Sequence, residues 1–314
     1  MKLWVGITDN EWFHNLTAKA PIDEVNFWRP RTPTPYRKDF YPGMPFLFKL
    51  HAPDDYIAGG AFFLKFLPLP ISLAWAAFGE ANGASTLENL RIMIGKRARI
   101  VPGKDPYIGC NLLSEPFFFP RDQWIPSNRY MQGPIVFGKG FFDVPEADEL
   151  WREITQRLIS NQTVKTVGQA TVAAQENARY GNPILVAPRI GQRSFRALVT
   201  DAYNYRCVIS RERTLPVLQA AHIRPYSEGG THELSNGLLL RSDLHTLFDQ
   251  HYLTIDPNEK TLIVSRRIKE QFENGRDYYA LNNRRLEQPA IDLATPSLES
   301  LTYHYKRFRE IESA

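Results

Sequence analysis

Polar and apolar positions alternate from Lys2 to Thr8 as in a half-buried strand. Asp9-Asn10-Glu11-Trp12 then turns the chain into a short helical or looped stretch ending near Leu16. Val25 to Trp28 and Phe46 to His51 repeat the strand signature around a Pro-rich loop, Arg29 to Tyr36. Tyr56 to Phe66 is an aromatic strand with Gly59-Gly60 near its start, the mark of a bulge or a close backbone approach. Pro70 to Phe78 and Thr86 to Arg99 read as helices. The second has Ser85 or Thr86 as cap and Leu87, Leu90, Met93 and Ile94 on one face, and Trp75 of the first reads as core. Ile108 to Leu113, Pro116 to Phe119 and Gly133 to Phe137 complete a set of short strands, so the pattern predicts a small mixed β-barrel with peripheral helices.

Leu150, Ile154 and Leu158 recur at helical spacing within Glu146 to Ile159, while Val164 to Asn177 is small and polar, a second helix or a strap. Arg193 to Tyr203 predicts an amphipathic helix with Phe195, Leu198 and Val199 inward, and Tyr205 to Val208 the start of a hairpin with Cys207 as a small core residue. Val217, Leu218, Ala220, Ala221 and Ile223 make a short buried strand around His222. Pro225 to Glu233 is a turn, Asn236-Gly237 begins a second apolar run, and Ser242 is placed to cap a helix through Asp249. Leu253 to Ile255 and Thr261 to Val264 read as a hairpin, and Ser300 to Ile311 as a closing helix. The class is α+β, divided into a barrel domain over 1–145, a helical linker over 146–190 and a second domain over 191–314.

Composition narrows this picture only slightly. With 314 residues, 43% apolar, 23% charged and a formal net charge of +4, contact with a polyanion is permitted without being announced. Cys110 and Cys207 are the two cysteines, and they make neither a CxxC knuckle nor a disulfide framework, which fits a reducing cytoplasm. MKLWVGITDNEW does not read as a signal peptide, and the apolar stretch Ala58 to Phe78 is broken by Lys65, Pro68 and Pro70, so no membrane partner is expected.

The chemistry concentrates in QAAHIRPYSEGGTHELSNGLLLRSDLHTLFD, Gln219 to Asp249. A strand fixes His222, and on the following helix His245 and Asp249 lie one turn apart, on one face, where they can share an ion. An imidazole that deprotonates water and a divalent cation that absorbs developing charge suffice to hydrolyse a phosphodiester. The order His222, Asn236, His245, carried by AHI, SNGLLL and LHTLFD, resembles the HNH (ββα-metal) nucleases. The resemblance implies that His222 is the general base, that Asn236 orients the loop, and that His245 ligates the metal. Asp249 matches the place where some members set a second ligand. Mg2+ or Mn2+ is the first candidate, with other transition metals open. Many members carry Asp or His immediately before the base, and here Ala221 stands there, which moves the metal site onto His245 and Asp249. His232 and His251 fall off the motif's spacing and read as bystanders.

A second resemblance covers about residues 1 to 145. VGITDNEWF, VNFWRP, PGMPFLFKLH, IAGGAFF and LPISLAWAAFGEANG are similar to the PUA-superfamily (EVE-like) domains of bacterial HNH proteins. That resemblance implies a reader whose aromatic pocket holds a flipped modified cytosine, 5-methyl- or 5-hydroxymethylcytosine, and a modification-dependent endonuclease that restricts modified DNA such as that of phages. A flipped base needs an aromatic platform and fixed polar groups, for which Asp9, Trp12, Asn26 and Trp28 are the candidates. Arg29, Arg31, Arg37 and Lys38 are placed to hold the DNA backbone. One such site cuts one strand, so cutting double-stranded DNA through takes two sites, as in a homodimer. A reader of modified backbone or RNA, and a non-catalytic nucleic-acid-binding module favoured by Ala221, are the alternatives.

Overall fold

The structure, a computed structural model, describes residues 1–30, 40–98, 104–133, 135–165 and 190–313. The chain divides into two compact units, Met1–Arg189 and Ile190–Ala314. Among the described residues no helix is long and apolar enough to cross a membrane.

In the first unit β1 (Lys2–Thr8) leads directly into α1 (Asn10–Thr17). Then come β2 (Glu24–Arg29), β3 (Pro45–Leu50), the long β4 (Tyr56–Pro70), α2 (Ile71–Phe78) and α3 (Leu87–Gly95). β5 (Tyr107–Phe118), β6 (Ile125–Pro126), β7 (Gly138–Phe142) and α4 (Pro145–Lys165) complete it. The strands form one mixed sheet in the order β2-β5-β4-β3-β1-β7, with β6 on β4; β1 and β3 run parallel and the other pairs antiparallel. The predicted barrel is therefore corrected: β2 and β7 stay at the two ends of the hydrogen-bonded order and the sheet does not close.

The bulge expected near Gly59-Gly60 is present as a register shift against β5 between Gly60 and Phe62. Ile108–Leu113 and Pro116–Phe119, read as two strands, lie mostly on one, β5. Gly133 to Phe137 is read from sequence as a short strand. Pairing with β1 instead begins at Gly138, leaving Val136 71% and Phe137 66% exposed. Trp75 is half-buried rather than core. α4 presents Ala147, Leu150, Trp151, Ile154 and Leu158 as one stripe, and they pack with Leu3, Val5, Leu47 and Phe62 in the core of the first unit. Burying a side chain such as Leu150 or Ile154 contributes about 1.5–3 kcal/mol, which anchors the helix to the sheet. Val164 to Asn177 lies almost wholly outside the described residues.

The second unit begins with α5 (Gln192–Ala202). The hairpin predicted from Tyr205 does not form: Asn204 and Tyr205 both adopt positive φ, which ends extended backbone, and a tight loop follows. Cys207, fully buried in it, accepts from the backbone N–H groups of Ser210 and Arg241 at Sγ. β8 (Leu218–His222) and β9 (Gly237–Arg241) then pair antiparallel, and α6 (Ser242–Asp249) follows at once. Ser242 is the first residue of that helix and not its cap. Arg241 takes the cap position in extended conformation and grips Asp243 through two hydrogen bonds of 2.6 and 2.7 Å. The hairpin β10 (Leu253–Ile255) and β11 (Leu262–Val264) leads to α7 (Arg267–Phe272), α8 (Arg276–Tyr279) and α9 (Leu298–Ser313).

Candidate functional site

Register places His222 opposite Gly237 in the β8–β9 ladder, and α5 packs across both strands. A Cβ on Gly237 would come within 2.6 Å of Val199 and 3.0 Å of Phe195, so glycine is what lets α5 approach. Phe195 consequently stacks flat on His222, ring centroids 4.1 Å apart at 7°. Between the strands the chain doubles back at Gly230, where a Cβ would meet the Arg224 carbonyl oxygen at 2.0 Å.

Asn236 closes this loop. It is 3% exposed, accepts from the Arg224 N–H at 2.9 Å, and donates to the carbonyls of Arg224 at 3.0 Å and Thr231 at 2.9 Å. Holding Thr231 brings its neighbour His232 against the base candidate: His222 Nε2 and His232 Nδ1 are 2.9 Å apart, and Tyr226 stacks on His232 at 4.7 Å and 10°. Burial, with His232 and His245 nearby, pushes the His222 pKa down to about 4, so at neutral pH this imidazole is uncharged and carries a lone pair. Its Nδ1 has no hydrogen-bond partner among the described residues.

On α6 His245 Nε2 lies 3.2 Å from Asp249 Oδ2, and His245 Nδ1 lies 2.7 Å from Gln219 Oε1. A carbonyl oxygen only accepts, so Nδ1 is the nitrogen that donates to Gln219, and Nε2 is the one turned toward the carboxylate. A proton or a cation between Nε2 and Oδ2 would join the two groups. With ligand distances of about 2.1 Å, two donors so spaced can share one ion, and an imidazole held by a carbonyl through its other nitrogen is the usual form of a metal-binding histidine. The donor pair therefore fits a divalent cation. Among the described residues no group of three or more His, Cys, Asp or Glu gathers to hold a metal. Ala221 is fully buried opposite Leu238, so the residue before His222 belongs to the core.

The first unit holds a cavity of about 490 Å³ that brings Asp9, Trp12, Trp28 and Arg29 together with His51 and Arg97. That volume lies in the range of small-ligand pockets, roughly 300–1,000 Å³. Trp12 (2% exposed) and Trp28 (8%) are core residues showing an edge to the cavity. Their Nε1 groups donate to the carbonyls of Asn26 and Asn82 at 3.1 and 2.9 Å. Asp9 caps α1, accepting from Glu11 and Trp12, and pairs with Arg97 at 2.5 Å. Burial alone would raise its pKa, but Arg97 and the two backbone N–H groups hold it below the usual carboxylate range.

Asn26 is not brought to this cavity: it is fully buried and donates to Asn82 Oδ1 at 2.9 Å and Cys110 Sγ at 3.3 Å. Arg29 ends β2 and is 8% exposed, its guanidinium 5.5 Å from the Phe66 ring, so it forms cavity wall where the sequence suggested an outer loop. Arg31, Arg37 and Lys38 lie outside the described residues. His232 and Gln219 are the residues that sequence reasoning passed over. The signal for His232 was the doubled glycine, since a tight reversal there returns the next residues to the end of β8.

No curated protein matches the sequence. Among solved structures, a mutant ASCH protein from Zymomonas mobilis is similar at TM-score 0.29 and 14% identity, covering 50% of this chain and 96% of that one, a likeness too slight to assign the fold of the first unit. Residues 207–256 match the HNH endonuclease family, a stretch that contains β8, β9, α6 and every polar group of the hairpin site. The second unit thus carries an HNH endonuclease domain, the module of a nuclease, a hydrolase acting on nucleic acids.

Proposed function

We propose that this chain is a modification-dependent DNA endonuclease. In this reading residues 1–145 form a reader for a flipped 5-substituted cytosine, 146–190 connect, and 191–314 cut the DNA, in a reducing cytoplasm and for restriction of modified, for example phage, DNA. The observation that carries it is the juxtaposition in the HNH domain of a neutral His222 with an open Nδ1 and the facing pair His245 Nε2 and Asp249 Oδ2, 3.2 Å apart. His222 takes a proton from water, and Asn236 fixes the loop that presents it. His245 and Asp249 hold a divalent ion, Mg2+ or Mn2+ first, which when bound supplies positive charge for the developing phosphate charge. Double-strand breaks then take two copies.

The reader half is supported by the convergence of Asp9, Trp12, Trp28 and Arg29 on one cavity. A second reading, in which the first unit takes a different ligand, is favoured by the burial of Asn26 away from that cavity. The test is digestion of matched plain, methylated and hydroxymethylated duplexes across a panel of metal ions. His222→Ala should abolish cleavage and keep DNA binding, and turnover retained by that variant would remove the base assignment. Equal cleavage of all three duplexes would remove the reader.

A further inference from the structure

We infer that His232 is a positioning residue of the nuclease site, holding His222 in the tautomer that leaves its outer nitrogen, Nδ1, free to take a proton from water. The inference rests on the reading of His222 as general base and goes beyond the HNH pattern, which includes no residue at position 232.

The geometry is a hydrogen bond between two imidazoles, His222 Nε2 to His232 Nδ1 at 2.9 Å. One proton lies between those atoms, and two arrangements are open to a neutral pair. If His232 Nδ1 carries it, His222 Nε2 accepts, the single N–H proton of the His222 ring sits on Nδ1, and no lone pair faces outward. If His222 Nε2 carries it, His232 Nδ1 accepts and His222 Nδ1 is a bare acceptor, with no other partner among the described residues. Only the second arrangement is competent to abstract a proton from water at Nδ1.

The contact is built and not accidental. Phe195 lies flat on His222 at 4.1 Å and Tyr226 flat on His232 at 4.7 Å, so each ring plane is fixed by its own aromatic partner. The Thr231 carbonyl is held by Asn236, which sets where residue 232 must lie. This pair also differs from His245 and Asp249. There Nδ1 of His245 is taken up by the Gln219 carbonyl and Nε2 faces a carboxylate and not a second imidazole. Between His222 and His232 the two ring nitrogens share one proton.

The step balances as an ordinary hydrolysis. Water gives a proton to His222 Nδ1 as its oxygen bonds to phosphorus, and the bond from phosphorus to the departing oxygen breaks. That oxygen takes a proton from solvent, and the proton on His222 returns to solvent. His232 Nδ1 accepts from His222 Nε2 throughout, and the bond strengthens as the ring becomes cationic.

The test is a long-range proton–nitrogen correlation spectrum of the metal-free full chain labelled at histidine, at neutral pH. His222 should appear protonated at Nε2 and bare at Nδ1. His232→Ala should let the two tautomers interconvert and lower kcat about 10–100-fold at unchanged KM, the scale of losing a partner that orients an imidazole. His232→Asn, whose Oδ1 stands as many bonds from the backbone as Nδ1 does and can only accept, should keep the Nε2–H tautomer and recover most of the turnover. A His232→Ala chain with wild-type tautomer and kcat overturns the inference while leaving His222 as base; a wild-type spectrum with the proton on Nδ1 overturns it and closes the Nδ1 route as well. Turnover by His222→Ala would instead remove the reading beneath it.

Discussion

Asp9 and Asp249 are carboxylates at opposite ends of short helices. Asp9 stands at the N-terminal cap of α1, where partial positive charge, two backbone N–H groups and Arg97 all favour its ionised form. Asp249 is the last residue of α6, where the helix end is negative, 55% exposed and facing His245 Nε2 at 3.2 Å. The first carboxylate is held by two backbone N–H groups and a guanidinium, whereas the second faces an imidazole at the unfavourable end of its helix. That contrast runs through both regions. In the first-unit cavity the indole N–H groups and Asp9 are already bonded, so it offers fixed surfaces to a ligand. In the second unit His222 Nδ1 has no hydrogen-bond partner among the described residues and His245 Nε2 faces Asp249, so that unit offers ring nitrogens for chemistry. Satisfied groups should report in stability and open ones in activity, and each prediction below tests that division.

The largest effect should come from a satisfied imidazole inside the reactive unit. His304 is 3% exposed, lies flat on Phe248 at 3.7 Å, donates from Nε2 to the Phe248 carbonyl at 3.0 Å and accepts from Thr254 at 2.9 Å. Burial, and secondarily His251, pushes its pKa down to about 3. The folded state therefore excludes a proton that the unfolded chain binds below about 6.5. Its contribution is fully present above that pH and is lost as pH falls toward 3, by up to about 1.4 kcal/mol per unit. Denaturant titrations from pH 7 to pH 4 should show this slope shrinking in His304→Gln; equal slopes in the two chains would mean that His304 is not the group excluding the proton. Next, Asn236→Ala leaves the Arg224 N–H and the carbonyls of Arg224 and Thr231 without their partner and should cost about 1–3 kcal/mol, with cleavage falling as His222 and His232 separate. Asp249→Asn should reverse the balance. The metal concentration for half-maximal cleavage should rise at least about tenfold, roughly 1.4 kcal/mol, with stability unchanged or slightly higher. A stability loss without a metal effect would make Asp249 structural.

How much of this was legible in sequence follows from the same physics. The hairpin, the helix and the order His222, Asn236, His245 could be read because alternation and one helical turn are local rules. His232 could not, because its approach depends on a reversal at Gly230 and on the Asn236 side chain bonding to Thr231, neither of which has a period. The strands of the first unit were legible one by one. The open sheet was not, because whether β2 meets β7 is decided by long-range pairing and not by alternation within either strand. Asn26 read as a free polar edge only because its partners, Asn82 and Cys110, are distant in sequence.

Asp9→Asn is the smallest perturbation and the one that separates the two units most sharply. Asparagine caps a helix about as well as aspartate, so the bonds from Glu11 and Trp12 should persist. What is lost is the charge opposite Arg97, a partly exposed pair worth about 0.2–1 kcal/mol, and a helix-end term of similar size. Stability should thus fall by about 1 kcal/mol, and the metal requirement for cleavage of plain single-stranded DNA should not move. In the reader proposed for the first unit, however, Asp9 with Arg97 is the polar wall of the cavity. Binding of matched plain and modified duplexes should then show discrimination reduced several-fold in Asp9→Asn. If discrimination survives intact, Asp9 serves only its helix, and recognition must come from the aromatic faces of Trp12 and Trp28 or from outside this cavity.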